Sequence, residues 1–154
     1  MNYAAGTSVS TEKSRVEIER TLTRYGADSF GYGWDADRAL IEFVKNGMRV
    51  RLLVPLPPRD SRAFTHHSRG QRTPAAAAEA WEQACRQRWR ALALVVKAKL
   101  EAVEAGITTF ESEFLGHIVL PSGGTVSDEL VPRLTELATG NPVTSLLALP
   151  RGSE

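Results

Sequence analysis

The pair Asn46-Gly47 separates two runs of alternating apolar and polar residues, and it constrains the fold more than any other feature of the chain. Asn-Gly favours the type I′ turn of a two-residue β-hairpin, because both central positions of that turn require a positive φ. Counting outward from the turn places Phe43 opposite Val50 on one face. The same count places Glu42 opposite Arg51 on the other face. The register therefore predicts one buried apolar face and one exposed face with a Glu–Arg pair.

A third strand is predicted upstream of this hairpin, where three aromatic residues alternate with two glycines. Phe30, Tyr32 and Trp34 are expected to join the core face of the sheet, and Gly31 and Gly33 then lie on its outer face. Glycine inside a strand marks either the close approach of a backbone or ligand, or a bulge or bend. We favour the bulge or bend.

Two segments have the three- and four-residue apolar spacing of amphipathic helices. The first is predicted over residues 11–25, with Gly26 in the position that follows a helix end. The second is predicted over 74–105 behind the N-cap Thr73. A long loop over 57–73 precedes it, and loops of this length in compact domains are often functional or disordered. The apolar stripe of the second helix is Trp81, Cys85, Trp89, Leu92, Val96, Leu100 and Val103.

The remainder of the chain is predicted to hold short elements. A capping box begins a helix over 109–115, a short strand follows over 117–120, and a last helix covers 127–139. Pro132 is expected to kink that helix or to mark its true start. The fold class is therefore α+β: an N-terminal helix, a three-stranded antiparallel meander, a long central helix, and a short C-terminal strand and helix.

Composition narrows the class of protein. A length of 154 residues fits one domain, and 42% hydrophobic with 24% charged residues is typical of globular chains rather than of disordered or fibrous ones. We expect a flexible arm over 1–10, a single domain over 11–140 and a tail over 141–154. The lone Cys85 allows no internal disulfide, and no apolar run suits a signal peptide or a membrane span. We therefore expect a cytoplasmic protein with no membrane contact.

The usual signs of catalysis are missing from the sequence, which has no common nucleotide-binding or hydrolase motif. Cys85 lies on the apolar stripe of a helix, as a core residue does. His66 and His67 are adjacent and point in opposite directions, and no partner has the spacing of a zinc site. Glu42 and Lys45 fall on opposite faces of a strand, which argues against a metal-dependent nuclease. We predict no catalytic residue, metal or cofactor, and lean towards a protein that is not an enzyme.

Arginine is concentrated in the middle of the chain and provides the best candidate binding surface. Arg86, Arg90 and Lys97 share one face of the second helix, although Glu82 is placed to pair with Arg86 instead. Guanidinium groups match phosphate oxygens well. Exposed aromatic rings for base stacking are not expected, because those of the first strand are predicted to face the core. We predict phosphate contacts from seven arginines: Arg49, Arg51, Arg62, Arg69, Arg72, Arg86 and Arg90.

Two stretches of the sequence carry a resemblance: YGADSFGYGWDADRALIEFVKNGMRVRLLVPLP and RQRWRALALVVKAKLEAVEAGITTFESEFLGHIVLP. They resemble a family of small, largely uncharacterised proteins of tailed bacteriophages and prophages. The resemblance implies an accessory phage protein that acts inside a bacterium. The order of helix, meander and long helix is also similar to that of phage single-strand annealing proteins, at the level of fold alone.

These observations favour a non-enzymatic protein that binds nucleic acid in phage replication or recombination, including single-strand binding or annealing. The contacts are expected from the arginine-rich loop and helix face. The alternative is a protein-binding accessory factor, such as an inhibitor of a host defence system or a small assembly protein. A homo-oligomer is also expected, with subunit contacts from the apolar stripe of the long helix and from the tail.

Overall fold

A computed structural model of the protein describes the backbone of residues 3–139 and the side chains of residues 11–139. The predicted tail over 141–154 lies outside this range. Two long helices pack on one face of a three-stranded antiparallel sheet with strand order β1-β2-β3. The fold is α+β, as predicted. In chain order its elements are α1 (Tyr3–Arg24), β1 (Ser29–Trp34), β2 (Arg38–Lys45), β3 (Met48–Pro55), α2 (Arg62–Thr65), β4 (His66–His67), β5 (Gly70–Gln71), α3 (Pro74–Glu104), α4 (Phe110–Phe114), a 3-10 turn (Leu115–His117), α5 (Val126–Leu130), a second 3-10 turn (Val131–Arg133) and α6 (Leu134–Ala138).

The β2–β3 hairpin has the predicted turn and register. Asn46 and Gly47 both have positive φ angles, 53° and 74°, as the two central residues of a type I′ turn require. Phe43 pairs with Val50, and both side chains are buried. The opposite face of the same strands carries the predicted pairing of Glu42 with Arg51. The local sequence therefore determines which face of the sheet packs against the helices.

Strand β1 pairs with β2 in the predicted register, but its aromatic residues are less buried than expected. Phe30 lies opposite Phe43 and packs against the core. Tyr32 and Trp34 remain 50% and 44% exposed. The prediction that all three rings join the core is therefore wrong for these two. An edge position alone does not explain this, because β3 is also an edge strand and its Val50, Leu52 and Val54 are buried; the elements packed on this face of the sheet cover β3 but leave Tyr32 and Trp34 partly open.

The two glycines of β1 lie on the outer face of the sheet, as predicted. Six consecutive residue pairs join β1 to β2, so no bulge interrupts the strand at Gly31 or Gly33, and that part of the favoured interpretation is wrong. Within the described part of the chain, no atom lies within 4 Å of the place where either Cβ would be. The glycines therefore leave this part of the outer face flat and open.

Helix α3 buries its predicted apolar stripe in the core of its own chain. Trp81, Cys85 and Val96 are fully buried between α1 and the sheet. This stripe is therefore not available for the subunit contacts that the sequence suggested. The hydroxyl of Thr73 accepts from the Ala76 amide at 3.2 Å and caps the helix where predicted.

Helix α1 begins at Tyr3 rather than at Thr11, so residues 3–10 are helical where a flexible arm was predicted. Thr11, where the predicted helix began, is 3% exposed and lies within the body of this longer helix. Gly26 follows the end of α1 with a φ of 87°, as predicted. The ammonium of Lys45 donates to the Tyr25 carbonyl at 2.7 Å and fastens this end of the helix to the sheet.

The loop over 57–73 is a small folded unit. The indole N–H of Trp81 donates to the Pro57 carbonyl at 2.6 Å, and the guanidinium of Arg88 donates to the Pro55 carbonyl at 2.8 Å. Phe64 of α2 packs against the core. The start of the loop is thus fastened to α3 through Pro57, α3 also holds Pro55 at the end of β3, and the middle of the loop is anchored to the core through Phe64.

The C-terminal part differs from the prediction in two features. Helix α4 is capped by Thr109, whose hydroxyl accepts from the Ser112 amide at 3.2 Å, and not by the capping box predicted from Thr108 and Glu111. The predicted strand over 117–120 is reduced to two single bridges, formed by Ile118 with Val50 and by Val119 with Thr125. The amide of Leu120 donates to the Gly124 carbonyl at 2.8 Å, because the chain turns back before a longer strand can form. The last helix is interrupted at 131–133, where Pro132 lacks an amide hydrogen, as predicted.

Candidate nucleic-acid interface

The seven predicted arginines do not form one surface. Arg49 and Arg51 alternate along β3 with Val50 and Leu52, which are buried against the helices. Their side chains therefore lie on the outer face of the sheet. The helix arginines belong to the layer on the other side of the sheet, and the loop arginines belong to the unit over 57–73.

The two sheet arginines share one carboxylate. The Nε atom of Arg51 donates to Glu42 at 2.7 Å, and a terminal nitrogen of Arg49 donates to the other oxygen at 3.4 Å. Arg51 also donates to the Gly123 carbonyl at 2.9 Å. Its side chain is only 26% exposed. Arg51 thus joins the sheet to the C-terminal turn, which leaves it little freedom to contact a phosphate.

Of the loop arginines, one has a structural role and two face solvent. The guanidinium of Arg72 donates to the carbonyls of Ala63 and Phe64 at 3.2 and 3.1 Å and completes the end of α2. Arg62 and Arg69 are exposed and form no ion pair with any residue of 11–139. Arg69 lies at the tip of the β4–β5 hairpin. These two remain candidates for contact with a partner.

The helix arginines lie in a groove between α1 and α3. A cavity of about 250 Å³ opens along the line where the two helices meet. Helix α1 contributes one cation to it, and α3 contributes two, separated by one turn. We call this cavity the α1–α3 groove. Its lining residues are Lys13, Ser14, Gln83, Arg86, Gln87 and Arg90.

Positive charge exceeds negative charge in the α1–α3 groove. Arg86 donates to Glu79 at 3.0 Å and to the Gln83 side-chain oxygen at 2.6 Å, which holds its guanidinium in place. The Glu79 side chain is 68% exposed, so water weakens its attraction for Arg86. Lys13 and Arg90 are exposed, and neither forms an ion pair with the residues of 11–139. The groove therefore suits an anion.

The sequence predicts two of the six residues that line this groove. It places Arg86 and Arg90 on one helix face, and the structure brings them together. Lys13 was not among the predicted contacts. Nor were Gln83 and Gln87, whose amides can donate and accept hydrogen bonds beside the cations. Only the packing of α1 on α3 brings these side chains to one place.

Exposed aromatic residues are present on the helix side of the sheet, contrary to expectation. Tyr32 is half exposed, and the guanidinium of Arg15 lies 4.2 Å from the centre of its ring. Such stacking stabilises an arginine over an aromatic face. Both residues lie at the β1 edge rather than in the α1–α3 groove. The groove itself thus offers charge and amides, with no aromatic ring in its lining.

The other candidate reactive side chains, Cys85, His66 and His67, are held within the fold by burial or by local hydrogen bonds. Burial raises the pKa of the Cys85 thiol to about 11, which makes it a poor nucleophile at neutral pH. The Nδ1 atom of His67 accepts from the Arg69 amide at 3.0 Å within the hairpin turn, and His66 contacts the Thr65 hydroxyl at 2.7 Å. No cluster of three or more potential metal ligands occurs among the described residues.

None of the helices in the described range is long and apolar enough to cross a membrane. Comparison of the chain with protein-family models, with curated proteins and with solved structures found no match.

Proposed function

We propose that this protein binds nucleic acid without catalysing a reaction, and that phosphates occupy the α1–α3 groove. The observation that carries the proposal is the convergence of Lys13, Arg86 and Arg90 from two helices on one cavity. Among the described residues, the one ion pair formed by these three cations joins Arg86 to the exposed Glu79. Three cations brought together in this way repel one another, and a bound phosphate removes that repulsion.

The geometry of the groove fits a phosphodiester backbone. Arg86 and Arg90 are one helical turn apart, or about 6 Å along the axis, so they can contact neighbouring phosphates. Arginine forks donate two parallel hydrogen bonds to phosphate oxygens. The resemblance to phage proteins suggests replication or recombination in a bacterial cytoplasm as the setting, with single-strand binding or annealing as the task.

A second candidate function is binding of a protein partner on the outer face of the sheet. Leu53 is 47% exposed there, and Leu40 and Val44 are half-buried around the pairing of Glu42 with its two arginines. A mixed apolar and charged surface of this kind is common at protein interfaces. The phage accessory factor considered from the sequence, such as an inhibitor of host defence, would use this face.

Changing both helix arginines to glutamine is expected to weaken binding to labelled oligonucleotides. Each lost hydrogen bond to a charged group contributes about 1.5–3 kcal/mol, so Arg86→Gln with Arg90→Gln should raise Kd at least tenfold. Fluorescence anisotropy with single- and double-stranded DNA and RNA measures the effect. The experiment also shows which of these nucleic acids binds best.

Two double variants with the same change in charge serve as controls. Arg38→Gln with Arg133→Gln alters exposed positions that line no part of the groove, so it should leave Kd nearly unchanged. Arg62→Gln with Arg69→Gln measures the contribution of the loop. Equal weakening by all three variants would show that only net charge matters and would sink the assignment to the groove.

A further inference from the structure

Helix α3 has a second apolar stripe, on the side that faces away from the core. Its members follow one another at intervals of three and four residues, as in a heptad pattern. Leu94 is 56% exposed, and the adjacent Val95 is 44% exposed. We call this surface the outer stripe of α3. It comprises Ala84, Ala91, Leu94, Val95, Ala98, Ala102 and the C-cap residue Ala105, together with Gln87, which it shares with the α1–α3 groove, so Leu94 and Val95 lie at its centre.

The outer stripe carries no charged residue, although it lies on a helix exposed to solvent. A helix with apolar stripes on two faces usually lies between two packed layers. The core of the chain covers the first stripe, and no element within 11–139 covers the second. The alanines at 84, 91 and 98 leave room for another helix to approach closely, at about 8 Å between axes.

The charges beside the outer stripe indicate what covers it. Arg90 lies towards the N-terminal end of the stripe, Lys97 lies beside its middle, and Glu101 and Glu104 lie at its C-terminal end. At 3.6 residues per turn, Arg90 and Glu101 project within about 20° of each other, so they are on the same flank. Arg90, Glu101 and Glu104 are exposed, and none of them forms an ion pair with residues of 11–139.

We propose that two copies of this chain pair through the outer stripe of α3 in an antiparallel arrangement with two-fold symmetry. Antiparallel pairing brings Arg90 of each copy to Glu101 and Glu104 of the other, so both ends of the interface gain attraction. Parallel pairing would instead leave Arg90 about 16 Å along the helix axis from the Glu101 of the other copy, so neither end would gain this attraction. A two-fold axis makes one self-complementary surface sufficient for both copies. This proposal does not depend on the proposed function.

Arg90 also lines the α1–α3 groove, so this residue belongs both to the groove and to the flank of the outer stripe. A phosphate in the groove and the carboxylates of a second copy attract the same guanidinium. Saturating nucleic acid is therefore expected to weaken the pairing by a modest factor. Of the stripe residues only Gln87 lines the groove, so Leu94, Val95 and Ala98 remain available for pairing.

Sedimentation velocity of the full chain over a range of concentrations tests the pairing. Wild-type protein is expected to show a monomer–dimer equilibrium, and Leu94→Glu is expected to raise its Kd at least tenfold by burying a charge in the interface. Leu137→Glu makes the same change at a residue that is 62% exposed and outside α3, so it should have no effect. A monomeric wild type, or a dimer that Leu94→Glu leaves intact, would overturn the proposal.

Charge reversal tests the antiparallel arrangement separately. Arg90→Glu alone, and Glu101→Arg with Glu104→Arg, should each raise the dimer Kd by placing like charges together. The combined variant with all three changes should recover most of the wild-type Kd, because it restores opposite charges at both ends. Failure of the combined variant to recover would rule out the antiparallel arrangement. Circular dichroism confirms that these variants, all at exposed positions, remain folded.

Discussion

Replacing Phe43 by alanine is expected to lower the free energy of unfolding by about 3–5 kcal/mol. The side chain is 1% exposed and lies against two other aromatic rings of the core. Its ring centre is 5.6 Å from that of Phe114 and 6.4 Å from that of Phe110, both in edge-to-face geometry. The substitution therefore removes buried apolar area, two ring contacts and the packing that α4 makes with the sheet.

The neighbouring residue in the same strand supplies the control for this prediction. Val44 points to the outer face of the sheet and is half-buried. In chemical denaturation, Val44→Ala should lower the free energy of unfolding by well under half as much as Phe43→Ala, because little buried surface is lost. A larger loss at Val44 than at Phe43 would mean that the strand faces the other way and that the register is wrong.

Replacing Trp81 by alanine is expected to cause a loss of similar size, about 3–5 kcal/mol, and also to free the loop over 57–73. The indole is fully buried, and its N–H donates to the Pro57 carbonyl. The guanidinium of Arg59 lies 4.8 Å from the ring centre. One side chain thus connects α3 to the start of the loop. Limited trypsin digestion should cut faster after the exposed Arg62 and Arg69 in the variant.

Two further variants separate the contributions of Trp81. Trp81→Phe keeps most of the buried volume and leaves the Pro57 carbonyl unpaired, which costs about 1–3 kcal/mol. Trp34→Ala deletes the same kind of side chain at a position that is 44% exposed. It should therefore lower the free energy of unfolding by less than Trp81→Ala does. Equal losses at positions 34 and 81 would contradict the burial difference between them.

The sequence predicts those parts of this fold that depend on neighbouring residues. The turn at Asn46-Gly47 needs positive φ angles, and those two residue types adopt them readily, so the hairpin register follows by counting. The cap at Thr73 and the break at Pro132 also follow from local backbone chemistry. Each of these features depends on only a few consecutive residues.

The errors concern features that depend on distant parts of the chain. The exposure of Tyr32 and Trp34 depends on which parts of the sheet the helices cover, which alternation of residues does not reveal. Thr11 resembles a helix cap in sequence, but it lies inside a longer helix and is buried. In both cases the arrangement of elements, rather than local preference, determines the environment of the side chain.

The candidate site could be predicted only in part for the same reason. Arginine spacing along α3 correctly groups Arg86 with Arg90, because one helix carries both. Lys13 is far away in sequence and joins them only through the packing of α1 against α3. Conversely, the charge of Arg51 suggests a phosphate contact, whereas the structure gives it two internal acceptors. Charge alone does not show whether a side chain already has a partner.

The salt dependence of nucleic-acid affinity tests the central claim most directly. Anisotropy titrations across a salt series give the slope of log K against log salt concentration, and three phosphate contacts predict a slope of about −2 to −3. Arg86→Gln with Arg90→Gln should reduce the magnitude of that slope by about 1.5–2, since two contacts are lost. The control Arg38→Gln with Arg133→Gln should leave it unchanged. An unaltered slope in the groove variant, or no binding by the wild type at low salt, would contradict the account.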